Sequence, residues 1–325
     1  MNQRGLRATL VLAGALSAMF ATTTRAAPAP DWQQCSGNAD TPVERSIAGC
    51  TAIIAAGGET PDDQAHAFLN RGLAYARKVK FRGSFVDFQA QFDRAIQDFD
   101  QAIKLKPDYA EAFFERGNAA TAIFQFDRAV ASYDQAIALK PGYAEALNSR
   151  GRAFTFKGDI DRAIQDLDQA IKLKPDLDTA FTNRGDAYLR KSDFDRAVEN
   201  YDQAIRLKPG DAGILSARCW ARARAGTTLE AAIADCTEAL RLRPDIANTL
   251  DHRAFAYFRL GRFDKAEADC TAAIKSYSQS APSLYLRGLA KRRLGNASGA
   301  AADIAAAKAI DPAIATTYVQ YGATP

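Results

Sequence analysis

The chain has 325 residues, 47% hydrophobic and 25% charged, a balance that fits a soluble folded protein and excludes a disordered one. That length is too great for one ordinary core. The formal net charge is +4, and no run of about 18 or more apolar residues follows the N-terminal region, which disfavours a membrane-spanning helix.

Residues 1–26 read as a signal peptide. Arg4 and Arg7 give a positive start, Ala8 to Ala21 an uncharged apolar run, and Thr24-Arg25-Ala26 approximates a small-x-small cleavage pattern. The expected location is therefore exported, the periplasm first and secretion second. The alternative is an uncleaved anchor, which the shortness of the run disfavours. No cysteine stands at the junction to carry a lipid. The segment holds three basic residues and no acidic one, so its removal lowers the net charge from +4 to +1. A near-neutral mature chain does not point to nucleic acid.

Residues 27–64 are expected to form a capping segment with one helix, over Val43 to Ala56. Beyond it the sequence repeats. Pro107, Pro141, Pro175 and Pro209 are evenly spaced, and Pro244 and Pro312 extend the series. Arg116-Gly117, Arg150-Gly151 and Arg184-Gly185 keep the same interval; Arg71-Gly72 precedes them, and Arg218-Cys219, Arg253-Ala254 and Arg287-Gly288 follow. Ala129, Ala163 and Ala197 form a third ladder, each after an Asp-Arg pair. Self-similarity at one fixed period signals a solenoid. Within the unit 144–177, Ala144, Leu147, Gly151 and Phe154 share one helix face, and Ala163, Leu167, Ala170 and Ile171 share another. Gly158-Asp159 separates the two, with Asp159 or Asp161 as the expected cap of the second, and Pro175 ends it.

These residues resemble the tetratricopeptide repeat family. Phe113, Gly117, Ala129, Tyr133, Ala136 and Pro141 match its pattern in one unit; Phe181, Gly185, Tyr188, Ala197, Tyr201, Ala204 and Pro209 match it in another. The resemblance implies an all-α fold, a right-handed α-solenoid of about seven helix-turn-helix repeats with terminal capping helices. The array is expected over 65–314, in units near 65–109, 110–143, 144–177, 178–211, 212–246, 247–280 and 281–314. A cap and tail occupy 315–325, with a short closing helix expected from Ala313 to Tyr321. Three departures stand out. Arginine replaces the family's usual Leu before the small residue. The first unit has extra residues around Lys78 to Phe88, which longer helices would absorb. The unit 247–280 lacks its closing proline and has Tyr277-Ser278 instead.

Five cysteines occur: Cys35, Cys50, Cys219, Cys236 and Cys270. Cys219 takes the small position of a first helix and Cys236 the aromatic position that faces it; Cys35 and Cys50 have nearly the same offsets. Disulfides Cys35–Cys50 and Cys219–Cys236 are expected in an oxidising compartment, leaving Cys270 free. Each would contribute roughly 3 kcal/mol by restricting the unfolded chain. The alternative is that all five are small buried hydrophobes.

No nucleophile-base set, phosphate loop or metal spacing is present, so no catalytic residue, metal or cofactor is expected. The recurrent arginines (Arg71, Arg116, Arg150, Arg184, Arg218, Arg253, Arg287) are expected to pair with Asp98, Asp166, Asp235, Asp269 and Asp303. Ser132 and Asn200 replace the acid in two units. The first-helix face that resembles the family's concave surface varies between units: Asn118, Asn148, Arg152, Asn183, Asp186, Arg190, Trp220, Arg224, His252, Phe255, Arg259 and Arg293. Variation on a repeating scaffold is where specificity is written. Arg152, Arg190, Arg224, Arg259 and Arg293 would form a basic stripe suited to carboxylates, with Trp220 and Phe255 as apolar anchors. The bland reading is a solvated face whose arginines pair with nearby acids. The segment Val79 to Phe88 either docks a partner or membrane surface or packs on the N-terminal helix. The expected function is a periplasmic scaffold that binds a protein or peptide through its groove. A receptor for a small acidic ligand or cell-wall fragment is the alternative, and an accessory enzyme domain is disfavoured.

Overall fold

The computed structural model describes residues 32–35, 41–78, 85–244 and 247–323. The signal-peptide reading and most of the Val79–Phe88 insertion fall outside them. The described residues form sixteen helices and no strand. α1 (Val43–Ala56) stands alone. Seven antiparallel pairs follow: α2 (Pro61–Arg77) with α3 (Phe85–Leu105), α4 (Ala110–Ala122) with α5 (Phe126–Leu139), α6 (Ala144–Lys157) with α7 (Ile160–Leu173), α8 (Asp178–Arg190) with α9 (Phe194–Leu207), α10 (Ala212–Ala225) with α11 (Leu229–Leu242), α12 (Ala247–Arg259) with α13 (Phe263–Ser276), and α14 (Ala281–Arg293) with α15 (Ala297–Ile310). A short α16 (Ile314–Gln320) closes the chain. Each helix packs on the next, and the first helices of successive pairs also touch one another, making an inner wall. The protein is an all-α solenoid.

Small residues set the spacing within each pair. A methyl group on Gly117 would sit 2.5 Å from the Tyr133 ring, one on Gly185 2.6 Å from Tyr201, and one on Gly151 2.7 Å from Leu167. Only a glycine lets these bulky side chains press against the facing backbone. The same contact in α10–α11 is the disulfide Cys219–Cys236. A second disulfide, Cys35–Cys50, ties the turn at 32–35 to α1, and Cys270 is buried and unbridged.

Helices α3, α5, α7, α9 and α11 each end two residues before a proline, with a residue between such as Lys140 (φ −135°, ψ 84°) or Lys174 (φ −138°, ψ 86°). Proline forces its predecessor out of helical geometry. Tyr277 adopts the same conformation (φ −142°, ψ 95°) with serine after it, so packing of the next pair suffices to end the helix. Asp159 stands at the cap position of α7, but its carboxylate takes the Arg162 guanidinium and no backbone amide. Asp161 pairs with Lys191 of the next unit. Both carboxylates are in ion pairs, and α7 has no side-chain cap. In α9 the equivalent Asp193 does accept from the Arg196 amide, at 3.2 Å.

The recurrent arginines join the pairs into a stack. Arg150 donates to both oxygens of Asp166 at 2.7 Å, within its own pair, and to Asp134 of the preceding pair at 2.7 Å. Arg218 bridges Asp235 and Asp202 in the same way. Arg116 uses Ser132 and Asp100, and Arg184 uses Asn200 and Asp168. Arg71, Arg253 and Arg287 each grip one carboxylate twice: Asp98, Asp269 and Asp303. Hydrogen bonding to Asp166 holds the Arg150 guanidinium even further above neutrality than usual.

Asn200 shows that a neutral acceptor serves the clamp. Asp166→Asn should therefore cost about 1 kcal/mol or less, as for one weakened hydrogen bond. Asp166→Leu should cost about 3 kcal/mol, because the largely buried Arg150 then faces an apolar side chain. Urea unfolding midpoints of the two variants would check the difference.

Candidate functional site

The inner wall is built from the first helices, and one position on it shows how the scaffold assigns roles. The residue after each small position is Asn118, Arg152, Asp186, Trp220, Phe255 and Leu289 in successive units. Where the facing helix carries a tyrosine, its buried hydroxyl needs an acceptor. Tyr133 donates to Asn118 at 2.9 Å, and Tyr201 donates to Asp186 at 2.6 Å. Burial lifts the Asp186 carboxyl above its ordinary value, against the Tyr201 hydrogen bond and the charges of Arg190 and Arg152. Asn118 and Asp186 thus serve the core. The facing residue of Arg152 is Leu167, which asks for nothing, and Arg152 is exposed. The signal separating these roles, tyrosine against leucine on the second helix, was present in the sequence.

Arg152 and Arg190 line one open stretch of groove. Two adjoining cavities of about 360 and 340 Å³ share Arg152 and Asn183. The first is also lined by Asn148, Thr179 and Ile214, the second by Phe156, Asp186 and Arg190. Asn183 donates to Asn148 at 2.8 Å, and Asn148 to Thr179 at 3.3 Å, so the amides form a short polar track between α6 and α8. The Arg190 guanidinium lies 5.5 Å from the Phe156 ring centre.

Another part of the expected groove is covered by the chain itself, with a cavity of about 310 Å³ left between Trp220, His252, Tyr318 and Tyr321. α16 turns back over the inner wall. Tyr318 is buried against Phe255 and Tyr285 and donates to the Pro282 carbonyl at 3.2 Å. Tyr321 stands edge-on to Trp220 at 5.6 Å, and the Arg224 guanidinium lies 3.7 Å from its ring centre. Burial lowers the Arg224 pKa, with Tyr321 opposing and Arg259 reinforcing the shift. Trp220 also stacks on His252 at 4.8 Å. Phe255, expected as an apolar anchor, is 0% exposed and belongs to the core. Arg259 donates to the Ala223 and Arg224 carbonyls, both at 3.0 Å, capping the end of α10. Arg293 is exposed at the end of α14. The basic stripe is therefore interrupted: Arg152 and Arg190 face the open groove, while Arg224 and Arg259 are engaged within the fold. Sequence reasoning missed Tyr318 and Tyr321, because a seven-residue helix carries no sign of which surface it will cover. Among the described residues no cluster of side chains is arranged to hold a metal ion, and no helix is long and apolar enough to cross a membrane.

Asp251 and His252, neighbours on α12 beneath α16, titrate in opposition. Burial raises the Asp251 carboxyl to about 6, against the Ser283 hydrogen bond and with help from Asp269. Between its unfolded value of 3.8 and about 6 the folded state keeps a proton that the unfolded state has lost, so stability falls as pH rises. Burial lowers His252 from 6.5 to about 4, against its Ser216 hydrogen bond. There the unfolded state binds a proton that the folded state refuses, so stability falls as pH drops. Asp251→Asn should therefore make the melting temperature fall more steeply than the parent's between about pH 6.5 and 4. His252→Gln should reverse the trend, raising it relative to the parent on acidification. Thermal melts across that window would check both.

Models of the family described as TPR repeat match residues 89–120 and 151–192, and models described as tetratricopeptide repeat match 110–143, 182–245 and 253–313. No curated protein sequence matches the chain. Among solved structures, a chain of the APC/C hetero-tetramer Cut9–Hcn1 aligns with a TM-score of 0.65 at 15% identity, over 87% of this chain and 53% of its own. The present chain thus spans about half the length of that relative. A tetratricopeptide repeat protein from Parabacteroides merdae aligns with a TM-score of 0.60 at 16% identity, over 80% of this chain and 99% of its own. Pseudomonas aeruginosa PilF aligns with a TM-score of 0.55 at 15% identity, over 66% and 96%. At such identities these structures show the fold alone. The family models cover most of residues 89–313, and the chain belongs to the tetratricopeptide repeat family.

Proposed function

We propose that this chain is an exported, non-catalytic scaffold that holds an extended acidic segment of a protein partner in the open stretch of its groove, along α6 and α8. One contrast carries the reading. Every arginine of the scaffold ladder is hydrogen-bonded to the acceptors around it. Arg152 and Arg190 are exposed at the groove and, among the described residues, form no ion pair. Asp186, whose charge bears on both, accepts from Tyr201. Guanidinium groups left in this way suit carboxylates, which they can bind through two parallel hydrogen bonds. The Asn148–Asn183 track beside them offers amide donors and acceptors to a peptide backbone. Two disulfides, together with the signal-like N-terminus, support an oxidising compartment such as the periplasm.

The cavity of about 360 Å³ beside Arg152 also suits a small carboxylate ligand, which is the second reading. A photo-crosslinking residue at Thr179, in the compartment to which the chain is exported, would separate the two by trapping a protein or nothing. The double variant Arg152→Glu, Arg190→Glu should lose the trapped protein by about tenfold or more while keeping its helical circular dichroism, about 1.4 kcal/mol of binding or more. Undiminished trapping by that variant would refute the groove reading.

A further inference from the structure

We infer that the rim beside the open groove carries an aromatic docking site, formed by Phe124, Phe126 and Phe156 with Arg190, which accepts an aromatic side chain adjoining an acidic residue on the partner segment. This rests on the groove reading above and adds to it the chemistry of the partner. The first observation is backbone geometry. The turn between the two helices of a pair needs one residue with positive φ. Gly158, Gly226, Gly261 and Gly295 supply it in four units and Ser192 in another. In the unit 110–143 it is Phe124, at φ 61°. A phenylalanine is disfavoured in that conformation, and this one is 66% exposed. Folding alone gives no reason for it, and strained exposed residues are a pointer to function.

The second observation is what surrounds it. Phe124 meets Phe126 edge-on at 6.1 Å, and Phe126 stacks on Phe156 at 5.3 Å with the rings only 8° from parallel. Phe156 is itself 48% exposed, and Arg190 lies over it. Two large aromatic faces and an exposed guanidinium thus share one patch at the edge of the groove.

The third observation is a filled counterpart. Arg224 occupies in its unit the position of Arg190, and like Arg190 it lies over an aromatic ring of the preceding pair, Phe194 at 5.0 Å, with Trp220 of its own helix at 5.5 Å. There the ring of Tyr321, from the chain's own C-terminal segment, covers the guanidinium at 3.7 Å. An arginine of this stripe, backed by an aromatic ring, therefore does receive a further aromatic ring. At Arg190 that place is vacant of any described residue's ring. The charge argues for the acid: Arg190 and Arg152 have no ion pair of their own among the described residues, so a carboxylate next to the incoming ring completes the contact.

Selection of a displayed random-peptide library on the full chain, followed by fluorescence anisotropy of the enriched peptides, tests this. The expected consensus is an aromatic residue beside acids. Phe124→Gly should weaken those peptides about tenfold, as truncation of a central aromatic anchor does, yet melt at or above the parent temperature, since it relieves the turn. Phe156→Ser should weaken them similarly. Enrichment of acidic peptides without aromatics, sensitive to Arg152→Glu but not to Phe124→Gly, would overturn the rim site and leave the groove reading standing. Failure to enrich acidic peptides at all would overturn both. A Phe124→Gly variant that melts below the parent and binds normally would also overturn the proposal, by showing that the ring serves the fold.

Discussion

The stack depends on a half-buried arginine that reaches two ways. Arg150 holds Asp166 in its own pair and Asp134 in the pair before it, and Arg218 holds Asp235 and Asp202. A leucine at this position would add apolar contact without direction. The guanidinium, with fixed donor geometry, instead dictates how far one pair is displaced from the next. Burying charge earns little net stability; what it supplies here is register. Where an acid is missing, Ser132 or Asn200 still offers an oxygen, so geometry is kept even where charge is not.

Register in turn fixes what the inner wall can display. With Gly117 and Gly185 held against tyrosines and Gly151 against a leucine, the next residue on the first helix either answers a buried hydroxyl or turns outward. Asn118 and Asp186 answer; Arg152 does not need to. A single change on the hidden helix, tyrosine to leucine, therefore releases a residue on the open face. In the units with Tyr133 and Tyr201 the core and the groove are coupled by one hydrogen bond, and similar helix pairs carry different surfaces as a result.

The period, the helix pairs, the paired arginines and the two disulfides were legible in the sequence because each is a local rule repeated at a constant spacing. Helix ends were legible through proline, although Tyr277 shows that packing alone can end one. The groove was legible only as a face. Its division into an open part at Arg152 and Arg190 and a covered part at Trp220, His252 and Phe255 depends on where α16 lands. That contact joins segments far apart in the chain, and no local pattern announces it. Asp159 makes no capping hydrogen bond in α7, whereas Asp193 in α9 takes both the Arg196 guanidinium and the Arg196 amide, so the same Asp-x-x-Arg pattern does not by itself decide the cap.

The placement of α16 gives the solenoid a polarity. Tyr318 and Tyr321 pack on the inner wall at α10, α12 and α14, so one end of the concave face is covered by the chain itself. A polypeptide held along α6 and α8, as proposed, would lie beside that cover. On that reading, repeats added beyond α14 would lengthen the scaffold and leave the open stretch at Arg152 and Arg190 as it is.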